Sequence, residues 1–200
     1  VTAKSSWTPG SGTRFPAGRT ISLPKMFGHR DVNYTDCPGN ALYNQFGSKE
    51  GLVFAVLERE GEAWRQWFQK AVEELPGSPA DKLVGIFGVL ENWFKRDGFY
   101  GCAFINAVAE HNKEDPRIRA LAQAHKKKVL TVIRGLADQA GVLDPESLTD
   151  AIGMLVDGAI IAAVITGTSE HARRGADATR MLLASQLLGN QAPASHAHAA

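Results

Sequence analysis

The chain has 200 residues, 44% of them hydrophobic, and its 22 basic and 21 acidic side chains leave a net charge of +1. Such a composition supports a real core in one compact domain, or in a small head on a larger body. The longest apolar stretch, Ala151 to Val164, is interrupted by Asp157 and several Gly and Ala, so no membrane span is expected. The start of the sequence lacks the apolar run of a signal peptide. Cys37 and Cys102 lie far apart without metal-ligand spacing, which points to reduced thiols in a cytoplasmic protein.

Residues 1–40 contain 18 Gly, Pro, Ser or Thr, with prolines at 9, 16, 24 and 38 that interrupt any helix. The alternating stretch Arg19-Thr20-Ile21-Ser22-Leu23 can form a short strand. Residues 1–52 carry six Lys/Arg against three Asp/Glu, and the remainder 16 against 18. That division suits a head facing an anion and a body that does not.

From Ser48 the chain reads as helices. Lys49 to Leu75 carries Leu52, Val53, Val56, Leu57, Trp64, Trp67 and Phe68 at helical spacing, and Pro76-Gly77 stops it. Ser78-Pro79-Ala80-Asp81 restarts the chain with a cap, a proline at the first position and a carboxylate near the positive helix end. The second helix runs to about Arg96, with Leu83, Ile86, Phe87, Leu90, Trp93 and Phe94 as its apolar side. Tyr100 to His111 forms a shorter helix, and Asp115-Pro116 opens one that runs to Ala140. Asp144-Pro145-Glu146 caps a helix to Ile165, and Thr168-Ser169-Glu170 caps the last, to Leu188. The Ala- and His-rich residues 190–200 read as a frayed tail.

One stretch is more specific than any periodicity: Leu42-Tyr43-Asn44-Gln45-Phe46-Gly47-Ser48-Lys49-Glu50-Gly51-Leu52. It resembles the segment that joins the recognition helix to the long fourth helix in TetR-family transcriptional repressors. The stretch Gly98 to Ala107, followed by Ala109-Glu110 and Asp115-Pro116-Arg117, is similar to the ligand-domain pattern of one TetR subgroup. The last two helices are similar to the family's dimerisation pair. The resemblance covers roughly residues 41–189. It implies an all-α helical bundle, with a TetR-like ligand-binding and dimerisation body at 48–189 and a tail at 190–200.

The head, residues 1–47, departs from the family. Met26-Phe27-Gly28-His29-Arg30 and Asn33-Tyr34-Thr35 faintly resemble the end of a first helix, but nothing resembles the second. Cys37-Pro38-Gly39-Asn40 stands where an apolar-Ser-Lys-Gly approach is usual. An upstream frameshift, true loss of the head, or strong divergence of an incomplete helix-turn-helix each account for this.

The resemblance implies that Tyr43 and Lys49 contact DNA phosphates, and that Asn44 and Gln45 reach phosphates or base edges. A hydroxyl, helix-start amides and a lysine are suited to phosphate oxygens. Packing of the head on the body is the competing role for Tyr43 and Phe46. For the dimer, Gly153, Gly158 and Ala162 let a second helix approach closely, with Met181, Leu182 and Leu187 from the last helix, although some of these residues serve an intrachain core.

A ligand cavity draws on Phe87, Trp93, Phe94 and Phe104, with Asn106, His125 and Asp157 as polar anchors, and ordinary core is the alternative for each aromatic. Asp157, on an apolar helix, either recognises a cation, binds across the dimer, or is a solvated carboxylate. His125-Lys126-Lys127-Lys128 reads as a solvated helical face. No metal or cofactor site and no catalytic motif appears, so an enzyme is not expected. The expected function is a homodimeric, ligand-responsive repressor that binds operator DNA and is released by a small hydrophobic or amphipathic effector. The alternative is a headless ligand-binding or protein-interaction dimer.

Overall fold

The computed structural model describes residues 2–4, 20–22, 45–110 and 116–188. The chain divides into two units, Val1–Val56 and Leu57–Ala200. In the first, strand β1 (Thr2–Lys4) pairs antiparallel with β2 (Thr20–Ser22) in the register Thr2↔Ser22, Ala3↔Ile21, Lys4↔Thr20. The alternating stretch around Ile21 is therefore a strand, and this two-stranded piece is the one departure from an all-α chain among the described residues.

Gln45 and Phe46 are helical, and Gly47 then takes φ +72°, a left-handed conformation that breaks the helix without a Cβ clash. Ser48 caps α1 (Lys49–Glu73), its Oγ accepting the Gly51 N–H at 3.0 Å. Residues from α1 onward fall in six helices: α2 (Pro79–Phe94), α3 (Ala103–Glu110), α4 (Pro116–Ala140), α5 (Pro145–Thr166) and α6 (Glu170–Leu188) follow.

The sequence signals at these ends are met in detail. Ser78 Oγ accepts the Asp81 N–H at 3.2 Å while Asp81 Oδ2 accepts the Ser78 N–H at 2.9 Å, a reciprocal capping box with Pro79 at the first position. The Ser78 hydroxyl, donating to Asp81 Oδ2 at 2.6 Å, and then the Ser78 N–H hold the Asp81 carboxyl below its ordinary range. Asp144 caps α5 through Ser147 N–H at 3.0 Å. Helix α3 begins three residues later than the expected Tyr100, because Gly98 and Gly101 hold φ of +78° and +83° there.

In the second unit α2 is the central helix, packed on α4, α5 and α6. Its Leu83, Ile86, Phe87 and Leu90 are almost wholly buried, with Phe68, Ile133, Leu148 and Ile152 around them. Each such side chain contributes roughly 1.5–3 kcal/mol by leaving water. Helix α5 packs on α4 and α6 and buries Leu148, Ile152, Val156 and Ile160. By length and composition α5 is apolar enough to cross a membrane, with a mean hydropathy of 1.9, where no such span was expected. The reason is that two aspartates, Asp150 and Asp157, are outweighed by the Ile, Val and Leu residues around them, and the Gly and Ala residues lower the hydropathy little. One stripe of α5 is core of this bundle.

Candidate functional site

A cavity of about 700 Å³ opens in the second unit between α1, the end of α2, α3, α4 and α5. A second cleft, of about 740 Å³, runs between α1, α2 and α4, but Glu62, Gln66, Gln69, Glu73, Lys82 and Lys128 in its lining make it the more polar of the two. The first is mostly apolar with a few convergent polar groups, the pattern of small-molecule sites.

Its wall is built of rings. Trp64 of α1 stacks on Phe68 at a centroid distance of 4.9 Å and meets Trp93 of α2 edge-on at 5.3 Å. Phe104 of α3 stacks on His125 of α4 at 4.0 Å and 20°. This placement depends on Gly61: a Cβ there would lie 2.4 Å from Phe104 Cζ, so only a residue without a side chain lets the ring lie against α1.

His125 is buried on the inward stripe of α4 with Ile118, Val129 and Ile133. Arg65 Nη1 lies 3.0 Å from His125 Nδ1, and Arg65 Nη2 pairs with Glu62 Oε2 at 2.6 Å. A guanidinium only donates, so Nδ1 accepts and the ring is the neutral tautomer with its proton on Nε2. Burial first, then the charges of Arg65, Lys126 and Lys128, push the His125 pKa from 6.5 to about 4.

The sign of the consequence follows. Below pH 6.5 the unfolded chain takes up a proton at this position while the folded chain does so only near 4. Stability contributed by neutral His125 is therefore present above pH 6.5, falls as pH drops through that window and is gone below 4. The loss is about 2 kcal/mol after discounting for solvent screening. Urea unfolding at pH 7 and pH 4.5 measures it: the wild type is expected to lose this increment and His125→Phe to lack it. Equal pH dependence in both would refute the assignment.

The next residue, Lys126, carries the cavity's ion pair. Its Nζ donates to Asp157 Oδ2 at 2.5 Å and to the Gly153 carbonyl at 3.0 Å, tying α4 to α5. Cys102 also lines the cavity; burial pushes its thiol up, which leaves it protonated and a poor nucleophile. Among the described residues no group of three His, Cys, Asp or Glu is placed to hold a metal.

Of the residues expected around a ligand, the structure brings Trp93, Phe104, His125 and Asp157 to this cavity. It does not bring Phe87, which is 1% exposed and packs in the core against α6, nor Phe94, which is buried beside Phe99. Asn106 is exposed, and its side-chain amide donates to the Tyr100 carbonyl at 2.9 Å, fixing the turn before α3. Sequence reasoning missed Gly61, Trp64 and Lys126 as cavity residues. Lys126 sits in a basic run whose Lys127 and Lys128 are exposed as expected, and only its neighbour His125 on the apolar stripe could have signalled its position.

Tyr43 and Asn44 lie outside the described residues. Gln45 is exposed in the turn of helix before Gly47, and Lys49 is exposed in the first turn of α1. On α5, Gly153 faces inward, where a Cβ would lie 2.5 Å from Leu130 Cδ2, whereas Gly158 faces open space. Ala162, Leu182 and Leu187 are half-buried. Met154 and Met181 are 69% and 76% exposed and flank an apolar groove with Ala151, Leu155, Ala178 and Leu182. Ile161 and Ile165 continue the Met154 stripe, one helical turn apart.

No family model and no curated protein matches the sequence. Solved structures do match by fold. A TetR-family transcriptional regulator from Streptomyces coelicolor superposes with a TM-score of 0.64 at 24% identity, covering 74% of this chain and 77% of its own. The reduced form of Escherichia coli NemR gives 0.62 at 19% identity, covering 73% and 80%. A TetR transcriptional regulator from Chloroflexus aurantiacus gives 0.62 at 22% identity, covering 72% and 77%. The helical body therefore has the fold of these regulators.

Proposed function

We propose that this chain is a homodimeric, ligand-responsive transcriptional regulator of the cytoplasm. In this reading it represses by binding operator DNA and is released when a small hydrophobic or amphipathic effector enters the cavity. The observation that carries it is the apolar 700 Å³ cavity with a ring-lined wall and few polar groups, in a fold shared with transcriptional regulators. The exposed apolar residues Met154, Ile161, Ile165 and Met181 of α5 and α6 support pairing with a second copy. Lys49, exposed beside the amides of the first turn of α1, suits a phosphate oxygen, and Gln45 lies just before it. Tyr43 and Asn44 share that role by family resemblance.

Release requires the effector to bind one conformation more tightly than the other, since equal affinity for both shifts nothing. Helix α1 is the natural carrier: the same 25 residues hold Lys49 in the first turn and Gly61 and Trp64 in the cavity wall.

The test is binding of the full chain to duplex fragments from upstream of its own gene, measured by fluorescence anisotropy across salt concentrations. Affinity is expected to fall steeply with salt, and Lys49→Ala to weaken binding to all sequences while lowering the salt slope by about 1. Salt-insensitive or absent binding would leave the alternative, a ligand-binding or protein-interaction dimer that does not touch DNA.

A further inference from the structure

We propose that the cavity selects uncharged aromatic molecules that carry a carbonyl oxygen, with the His125 Nε2–H donating to that oxygen. This rests on the reading of the cavity as a ligand site and adds the chemical class it takes.

The donor is fixed by protein geometry. Arg65, itself anchored to Glu62, occupies Nδ1, so the proton sits on Nε2, at the other edge of the ring. His125 lines the cavity, and no described residue accepts from its Nε2–H. Beside it, 5.6 Å between ring centroids, lies Trp64, whose Nε1–H is buried without a partner. That indole N–H is shut off from solvent, so the His125 Nε2–H is the ring donor this wall leaves for a ligand oxygen.

The charge of the ligand follows from the charges already present. Lys126 and Asp157 neutralise one another, and Lys126 spends a further donor on the Gly153 carbonyl. The remaining lining charges, Glu60 and Arg119, are one of each sign and both exposed. A charged ligand would meet its only unpaired counter-charges in these exposed, water-screened groups, and would keep most of its desolvation cost, whereas a neutral one would not carry that cost. Trp64, Trp93 and Phe104 supply ring faces and edges for an aromatic body.

Benzophenone, the shape-matched hydrocarbon diphenylmethane and the anion 4-benzoylbenzoate test the three elements by equilibrium dialysis with the full chain. His125→Phe keeps a ring against Phe104 and removes the donor. It is expected to weaken benzophenone about tenfold, the worth of one hydrogen bond, and diphenylmethane less than twofold. The retained hydrocarbon binding also shows that the variant is folded. In the wild type, the ¹⁵N resonance of His125 Nε2 should shift with benzophenone and not with diphenylmethane.

An unchanged ketone-to-hydrocarbon ratio in His125→Phe, an unmoved Nε2 resonance, or tighter binding of 4-benzoylbenzoate than of benzophenone would overturn the selectivity while leaving the cavity a ligand site. Failure of both neutral molecules to bind would overturn the ligand-site reading together with this inference.

Discussion

Replacing Phe87 by alanine is expected to lower the unfolding free energy by about 3–5 kcal/mol, a large part of the stability of a domain this size. Phe87 is 1% exposed on the central helix, and its ring lies across Gly175 of α6, where a Cβ would come within 2.2 Å of Cε1. The reciprocal change, Gly175→Ala, sets two effects against each other. Helix propensity favours alanine by about 1 kcal/mol, and overpacking against a buried aromatic costs about 1–3 kcal/mol. At 2.2 Å the clash wins, so Gly175→Ala also destabilises.

The double variant carries the sharper expectation. The cavity left by Phe87→Ala accommodates the new methyl, so the pair should be less destabilised than the sum of its parts by about 1 kcal/mol or more. Urea denaturation of the four proteins measures this. Strict additivity would mean that the ring and the glycine are not the mutual fit described.

A glutamate at both Met154 and Met181 is expected to raise the dissociation constant of the proposed dimer by at least about 10,000-fold while leaving the protomer folded. Both side chains are mostly exposed in a single chain, where substitutions usually move stability by no more than about 0.5 kcal/mol. In a two-fold pairing each is buried twice, and every lost apolar contact of this size costs roughly 1.5–3 kcal/mol before the cost of burying a carboxylate. Sedimentation equilibrium gives the mass, and circular dichroism the fold. A monomeric wild type, or a variant that remains dimeric, would refute the assignment of this face.

The helices were legible because their signals are local. Ser78-Pro79-Ala80-Asp81 contains every atom of the capping box that forms there, and Asp144-Pro145 likewise starts α5 where it stands. The start of α3 was misplaced because Tyr100 continues an apolar pattern, and the pattern carries no record of the left-handed glycines on either side of it.

The cavity was only half legible, for a different reason. Phe87 and Trp93 are both apolar positions of α2, and which one meets a cavity is decided by glycines on other helices. Gly175 of α6 draws Phe87 into the core, and Gly61 of α1 admits Phe104 beside His125. Lys126 was hidden by its basic neighbours, since a lysine that turns inward to a carboxylate 31 positions away looks in sequence like one that turns out. In the amino-terminal region the alternation around Ile21 marked a strand, but its partner at Thr2–Lys4 has no pattern of its own.

The burial of His125, with Arg65 held against its Nδ1, bears on the proton inventory of the cavity. A histidine at its ordinary pKa would exchange protons with solvent across the range in which cells regulate their acidity, and any ligand touching it would bind with a pH-dependent affinity. With its titration moved down to about 4, His125 offers the same donor at pH 5.5 as at pH 8. In the proposed reading a neutral ligand bound there would neither take up nor release a proton, so the occupancy of the site would report concentration alone.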